Sequence, residues 1–199
     1  MTPQKHPLFI VISGPSGVGK DSVLQGLKDR NLKLHFVVTA TNRPPRPNEQ
    51  EGVDYLFVST DAFIHMIEAD ELIEYARVYN DYKGVPKAQL REAFESGKDV
   101  IMRVDVQGAS TLRGKYPGAV LIYLTASEAD LLSRLQVRGA DDMDALRLRV
   151  AMARKEINRL PDFDYIVENA EGKLEATIAS IVAIIRAEHH RVDHRVVSL

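Results

Sequence analysis

The sequence contains no cysteine, which excludes disulfides, thiol catalysis and cysteine-ligated metals. It has no apolar run approaching the roughly 18 residues that a membrane span needs. It also lacks a marked charge of either sign, since 26 Lys and Arg against 28 Asp and Glu leave a formal net charge of -2. A general nucleic-acid or membrane-surface binder is usually clearly basic, so neither partner is expected. There is no internal repeat and no low-complexity tract. The opening Met-Thr-Pro-Gln-Lys-His has neither the apolar core nor the cleavage site of a signal peptide, and the expected location is the cytoplasm.

What is present is an ordinary globular balance, 45% hydrophobic and 27% charged over 199 residues, enough for one domain with a sizeable insert. Leu8 to Ser13 is a short continuous apolar run ending at glycine, the pattern of a strand buried on both faces. Gly19 to about Arg30 reads as a helix, with Val23, Leu24 and Leu27 at helical spacing. Asp99 to Val104 and Ala119 to Leu124 read as further buried strands, and Tyr165 to Val167 as a short last one. Ser127 to Val137, Asp142 to Leu160 and Gly172 to about Arg191 read as helices, with Ser127 and Asp130 resembling a capping box. Alternation of this kind predicts an α/β fold, a parallel sheet with helices on both faces. Residues 39 to 97 break the rhythm and predict a small inserted lobe with a β-sheet of its own, where a second substrate can bind.

Gly14-Pro15-Ser16-Gly17-Val18-Gly19-Lys20 supplies G-x-x-x-x-G-K between a predicted strand and a predicted helix. Glycines let such a loop wrap around phosphates with its N–H groups turned inward. The helix N-terminus adds positive potential, and Lys20 adds a full charge on the outer phosphates. The next residue in the motif is a hydroxyl that binds magnesium; here it is Asp21, with Ser22 one step out of register. A loop of this kind alone is compatible with a GTPase, a motor or a transporter ATPase.

The insert narrows the choice. Arg43 and Arg46 lie in Thr39-Ala-Thr-Asn-Arg-Pro-Pro-Arg-Pro, where prolines stiffen an extended backbone. Two fixed guanidinium groups make a clamp for a phosphate monoester, and Tyr55 can add a hydroxyl. The run Thr41 to Tyr55, with Arg43, Pro45, Arg46, Glu49, Gly52, Asp54 and Tyr55, resembles the guanylate kinase family. So do Leu72-Ile-Glu74, Tyr82 with Gly84, Asp105-Val-Gln-Gly108, Arg134-Leu, Arg138-Gly139, Arg149 and Asn169. The resemblance runs from about Pro7 to His190.

It implies a P-loop nucleoside monophosphate kinase with one catalytic unit over 7–190: a core at 7–38 and 98–190, a GMP-binding lobe at about 39–97, a lid at about 138–148, and a tail at 191–199. Its implied substrates are ATP, with magnesium, and GMP. ATP would lie on residues 14–22, Arg138 and Asn169. The GMP phosphate would lie on Arg43, Arg46 and Tyr55, with Tyr82, Lys83 and Gly84 alongside, and Thr39, Glu74 and Asp105 would read the guanine. Guanine presents an acceptor at O6 and donors at N1 and N2, which suits a hydroxyl and a carboxylate. Lys20, Arg43, Arg138 and Arg149 would supply charge for phosphoryl transfer, and Asp21 is the candidate metal ligand.

Three positions depart from the family. Lys83 replaces a second tyrosine, Val85 replaces a hydroxyl residue, and Arg103 stands where an acidic residue is common. The last suggests that Asp21 and Arg103 exchange charge between the loop helix and a core strand. The competing readings are a related kinase of phosphorylated sugars, such as a ribose 1,5-bisphosphate phosphokinase, which shares Gly-Lys-Asp-Ser, and a non-catalytic interaction module. His189, His190 and His194 read as a solvated helix end, and the oligomeric state is open.

Overall fold

The computed structural model describes residues 6–47, 49–78, 80–137, 151–152 and 154–197. The first strand, β1 (Phe9–Ser13), is wholly buried because it lies at the centre of a sheet covered on both sides. After it come α1 (Lys20–Lys28) and β2 (Leu34–Phe36). The chain then leaves this sheet and returns with α3 (Lys87–Glu95), β7 (Asp99–Arg103) and α4 (Val106–Lys115). It ends with β8 (Val120–Thr125), α5 (Glu128–Val137), β9 (Tyr165–Glu168) and α6 (Leu174–Glu188). The order across the sheet is β2-β7-β1-β8-β9, and every pairing is parallel. This is the α/β architecture expected from the alternating pattern.

Strand alternation sorts the core into two layers. Ile10 and Ile12 of β1 join Val23, Leu24 and Leu27 of α1 and Ile178, Ile181 and Ile185 of α6. Phe9 and Val11 face the other way, against Leu90 and Ala93 of α3 and Ala109 and Leu112 of α4.

The excursion forms a second sheet from β3 (Thr39–Thr41), β4 (Tyr55–Phe57), β5 (Leu72–Val78) and β6 (Asp81–Pro86), in the order β4-β3-β6-β5. Two helices in this stretch went unread in the sequence. One is α2 (Thr60–Glu68), capped by Ser59, whose Oγ accepts from the Ala62 N–H at 3.1 Å; its Phe63 fills the small core beneath the sheet. The other is α3, whose buried residues belong to the main sheet's core. Between Leu72 and Glu74 the β5–β6 register shifts, and the bulge accommodates Ile73 as an extra residue. Leu72, Ile73 and Glu74 are consequently all buried, against strict alternation.

Three expectations are corrected. The helix expected to reach Leu160 gives way to a 3₁₀ turn, Ile157–Asp162, which contains Pro161; most of its earlier part lies outside the described residues. The capping box is half made: Ser127 Oγ accepts from the Asp130 N–H, but Asp130 Oδ2 accepts from the Glu171 N–H instead of returning to the cap. The C-terminal end is solvated only in part: His190 and His194 are exposed as expected, while His189 is half-buried. His189 Nε2 lies 2.7 Å from Asp99 Oδ2, and Arg195 docks on Glu188, Asp164 and the Ala119 carbonyl.

Candidate active site

The phosphate loop leaves β1 and is pinned from behind. Its Val18 carbonyl accepts from Asn169 Nδ2 at 2.8 Å and from Arg134 Nη1 at 3.1 Å. Gly14 has φ 144°, and a Cβ there would stand 2.3 Å from the Leu124 carbonyl oxygen. Gly19, the N-cap of α1, has φ 97°, and its Cβ would meet Asn169 Nδ2 at 2.5 Å. Neither position accepts a side chain without moving the loop. Lys20 Nζ bends back onto the carbonyls of Gly14 and Pro15, at 2.5 and 3.1 Å. Burial, reinforced by the nearby Lys83 cation, lowers the Lys20 ammonium to about 8.

Across a shared cleft stands the second lobe. Loop residues Gly14, Ser16, Gly17, Val18, Gly19, Lys20 and Asp21 line it on one side, and Thr39, Arg43, Arg46, Tyr55, Glu74, Lys83 and Gly84 on the other. Arg103 and Asp105 of the core also line it. Arg43 forms a two-point pair with Glu49 at 2.7 and 2.5 Å, and its guanidinium lies 5.0 Å from the Tyr55 ring centroid. Glu49 also accepts from the Arg46 N–H, so one carboxylate organises the whole Arg-Pro-Pro-Arg turn.

Glu74 is only 7% exposed, carried inward after the bulge, and its Oε2 has no hydrogen-bond partner. Burial, with Asp105 adding like charge, raises its carboxyl to about 8, against a weaker opposing pull from Lys115. Asp105 caps α4, accepting from the Gly108 N–H at 2.8 Å. Gly108 leaves room for Glu74, since a Cβ there would come 2.5 Å from Glu74 Oε2.

Four of the expected residues lie elsewhere. Ser22 and Asn169 line a second pocket behind the loop, with Gly17, Gly19, Arg134 and Glu171. Pro15 contributes a carbonyl to Lys20. Tyr82 stacks on Phe63, with ring centroids 5.4 Å apart, and does not line the cleft. Arg138, Arg149 and the expected lid fall outside the described residues. Sequence reasoning missed Met152 and Glu156, which also line the cleft. Burial raises the Glu156 carboxyl, Lys20 opposes that shift, and Glu156 Oε2 lacks a hydrogen-bond partner. Nothing local in the sequence marks this glutamate, whose place depends on the tertiary fold alone.

A parallel sheet whose central strand runs into a phosphate loop, with a second lobe facing that loop, defines a P-loop kinase fold. The family model described as guanylate kinase matches residues 6–188. Guanylate kinase 2, chloroplastic/mitochondrial, of Oryza sativa subsp. japonica is 48% identical over 201 residues, covering 100% of this chain and 70% of that protein. The guanylate kinase of Halalkalibacterium halodurans is 41% identical over 183 residues, covering 92% and 89% of the two chains. The crystal structure of guanylate kinase from Anaplasma phagocytophilum superposes with a TM-score of 0.76 at 26% identity, covering 97% and 92%. The chain belongs to the guanylate kinase family.

Proposed function

We propose that this protein transfers the γ-phosphoryl group of ATP to GMP, giving ADP and GDP. A phosphate oxygen of GMP attacks the γ-phosphorus, the bond to the β–γ bridging oxygen breaks, and ADP leaves. The observation that carries the reading is the buried Glu74 carboxyl, with an unpartnered Oε2, in the cleft that also holds Lys20 and the arginine clamp. Guanine offers two adjacent donors to such an acceptor, whereas adenine offers an amino group beside an unprotonated nitrogen.

Residues 14–22 and Asn169 hold ATP in this reading. Arg43, Arg46 and Tyr55 hold the GMP phosphate, with Lys83 and Gly84 beside them. Thr39, Glu74 and Asp105 read the base. Tyr82 does not line the cleft, and its carbonyl accepts from Thr41 Oγ1 at 2.9 Å, which braces β6 against β3. Arg138 and Arg149 complete the charge around the transferred group, and residues 138–148 serve as the lid.

The donor set fits magnesium. Asp21 offers a hard carboxylate beside Lys20 in the cleft, and magnesium binds through one or two carboxylates plus substrate phosphates. Among the described residues no cluster of three metal-ligating side chains occurs, as that mode requires none. When bound, the ion neutralises phosphate charge. No described helix is long and apolar enough to cross a membrane, and the cytoplasm is the proposed location.

The test is ATP-dependent turnover of GMP, AMP and ribose 1,5-bisphosphate, followed by ADP release. GMP is the expected acceptor, with AMP poorer by roughly 10⁴-fold in kcat/KM. Equal use of AMP and GMP overturns the guanine assignment, and preference for the sugar phosphate overturns the acceptor class.

A further inference from the structure

Arg103 is bonded to both halves of the cleft. It sits at the end of β7, and its side chain is 10% exposed. Its Nε lies 2.8 Å from Asp21 Oδ1, in the first turn of α1. The same Nε donates to the Tyr55 hydroxyl at 3.2 Å, and Nη2 donates to the Asp54 carbonyl at 2.7 Å. The guanidinium carbon stands 4.3 Å from the Tyr55 ring centroid. Three elements distant in sequence therefore share one cation. These are the helix that follows the phosphate loop, a core strand, and the turn that leads into β4 of the acceptor lobe.

We propose that Arg103 is a positioning residue that couples the donor and acceptor sites, holding Tyr55 and Asp54 of one lobe and Asp21 of the other through a single guanidinium. The proposal rests on the kinase reading for the identity of the two ligands. In the structure Asp21 balances the charge of Arg103. A nucleotide that arrives with a divalent cation gives the Asp21 carboxylate a further positive partner. Arg103 then keeps its bonds to Tyr55 and Asp54 and has more charge to offer a phosphate held by Tyr55. Donor binding thus strengthens acceptor binding, and linkage requires the reverse to hold equally. A purely structural role for Arg103 predicts weaker folding but no change in this cross-effect.

Calorimetric titration of the full chain measures GMP affinity with and without a non-hydrolysable ATP analogue and magnesium. In the wild type the analogue should tighten GMP binding by about 5-fold or more, the low end of typical coupling between sites. In Arg103→Met and in Asp21→Ser the factor should fall towards unity, with the double variant no lower than either single one. Arg103→Lys retains charge without the planar fork and should keep part of the coupling; it also remains informative if Arg103→Met fails to fold. An unchanged factor in the single variants, or strictly additive losses, overturns the proposal.

Should the wild type not bind GMP, the substrate reading fails, and the coupling is read by hydrogen exchange instead. The analogue with magnesium should slow exchange across residues 50–57 in the wild type, slow it less in Arg103→Lys, and leave it unaltered in Arg103→Met. The same slowing in wild type and Arg103→Met overturns the coupling whatever the acceptor is.

Discussion

With its carboxyl raised to about 8, Glu74 holds a proton near neutral pH, and under the proposed function two guanine donors would favour its ionised form. GMP binding should therefore release a proton. Affinity should rise between pH 6 and 8 and level off above, as measured by titration in buffers of different ionisation enthalpy. Glu74→Gln should flatten the profile and weaken GMP by about 10- to 100-fold, the range for a lost hydrogen bond to a charged group. Stability follows the same proton. A raised carboxyl gives the folded state more bound protons between about 4.5 and 8, so stability falls as pH rises through that window. Denaturant midpoints of Glu74→Gln should show a shallower decline. Lys20 works in the opposite direction, because its ammonium is lowered to about 8 by burial. Its charge opposes folding below that pH, and the penalty fades as pH climbs towards 10.5. Lys20→Met should lose kcat by a factor of order 10² or more, as for removal of one preorganised charge-stabilising group. Its stability at pH 7 should hold or rise. That Lys20, Arg43 and Arg46 share one cleft was legible in the sequence because motif spacing marks them locally. Glu156 was not, because only the folded chain brings it to Lys20 and Asp105.

Among the elements, the buried strands at Leu8, Asp99 and Ala119 were readable from their short, largely apolar runs. Helix α2 was overlooked because its inward stripe is thin, with Phe63 its one buried residue. The bulge at Ile73 had no sequence signature, yet it lets Ile73 join the main core while Glu74 enters the cleft. Close approach of α4 to that glutamate gives a selective test. A Cβ at residue 108 would collide with the tip of the Glu74 side chain, 2.5 Å from Oε2. A flexible carboxylate can swing away from it at little cost to folding. Gly108→Ala should therefore raise the KM for GMP by about 10-fold or more, comparable to losing a charged hydrogen bond. It should leave the KM for ATP and the denaturant midpoint close to wild type.

For the whole molecule, Arg195 fastens the stretch expected to be a tail from residue 191. Glu188 is 1% exposed, and Arg195 reaches it at 2.9 Å while also pairing with Asp164 at 3.1 Å. Arg195→Met should leave the buried Glu188 carboxylate with only the Tyr165 hydroxyl and the more distant Arg191 among its described partners, and cost about 3 kcal/mol in urea unfolding. The KM values for both substrates should not move, since none of these residues lines the cleft. The parallel sheet has a further consequence, for synthesis on the ribosome. Its central strand, Phe9–Ser13, emerges first, but its two neighbours begin only at Asp99 and Val120. During translation of the intervening stretch, the most deeply buried strand of the mature protein has no sheet to join. Such a strand invites pairing with other chains. Nascent chains cut off before Asp99 should accordingly aggregate or be retained by chaperones. Those extending past Glu168, where the fifth strand ends, have every partner the sheet requires.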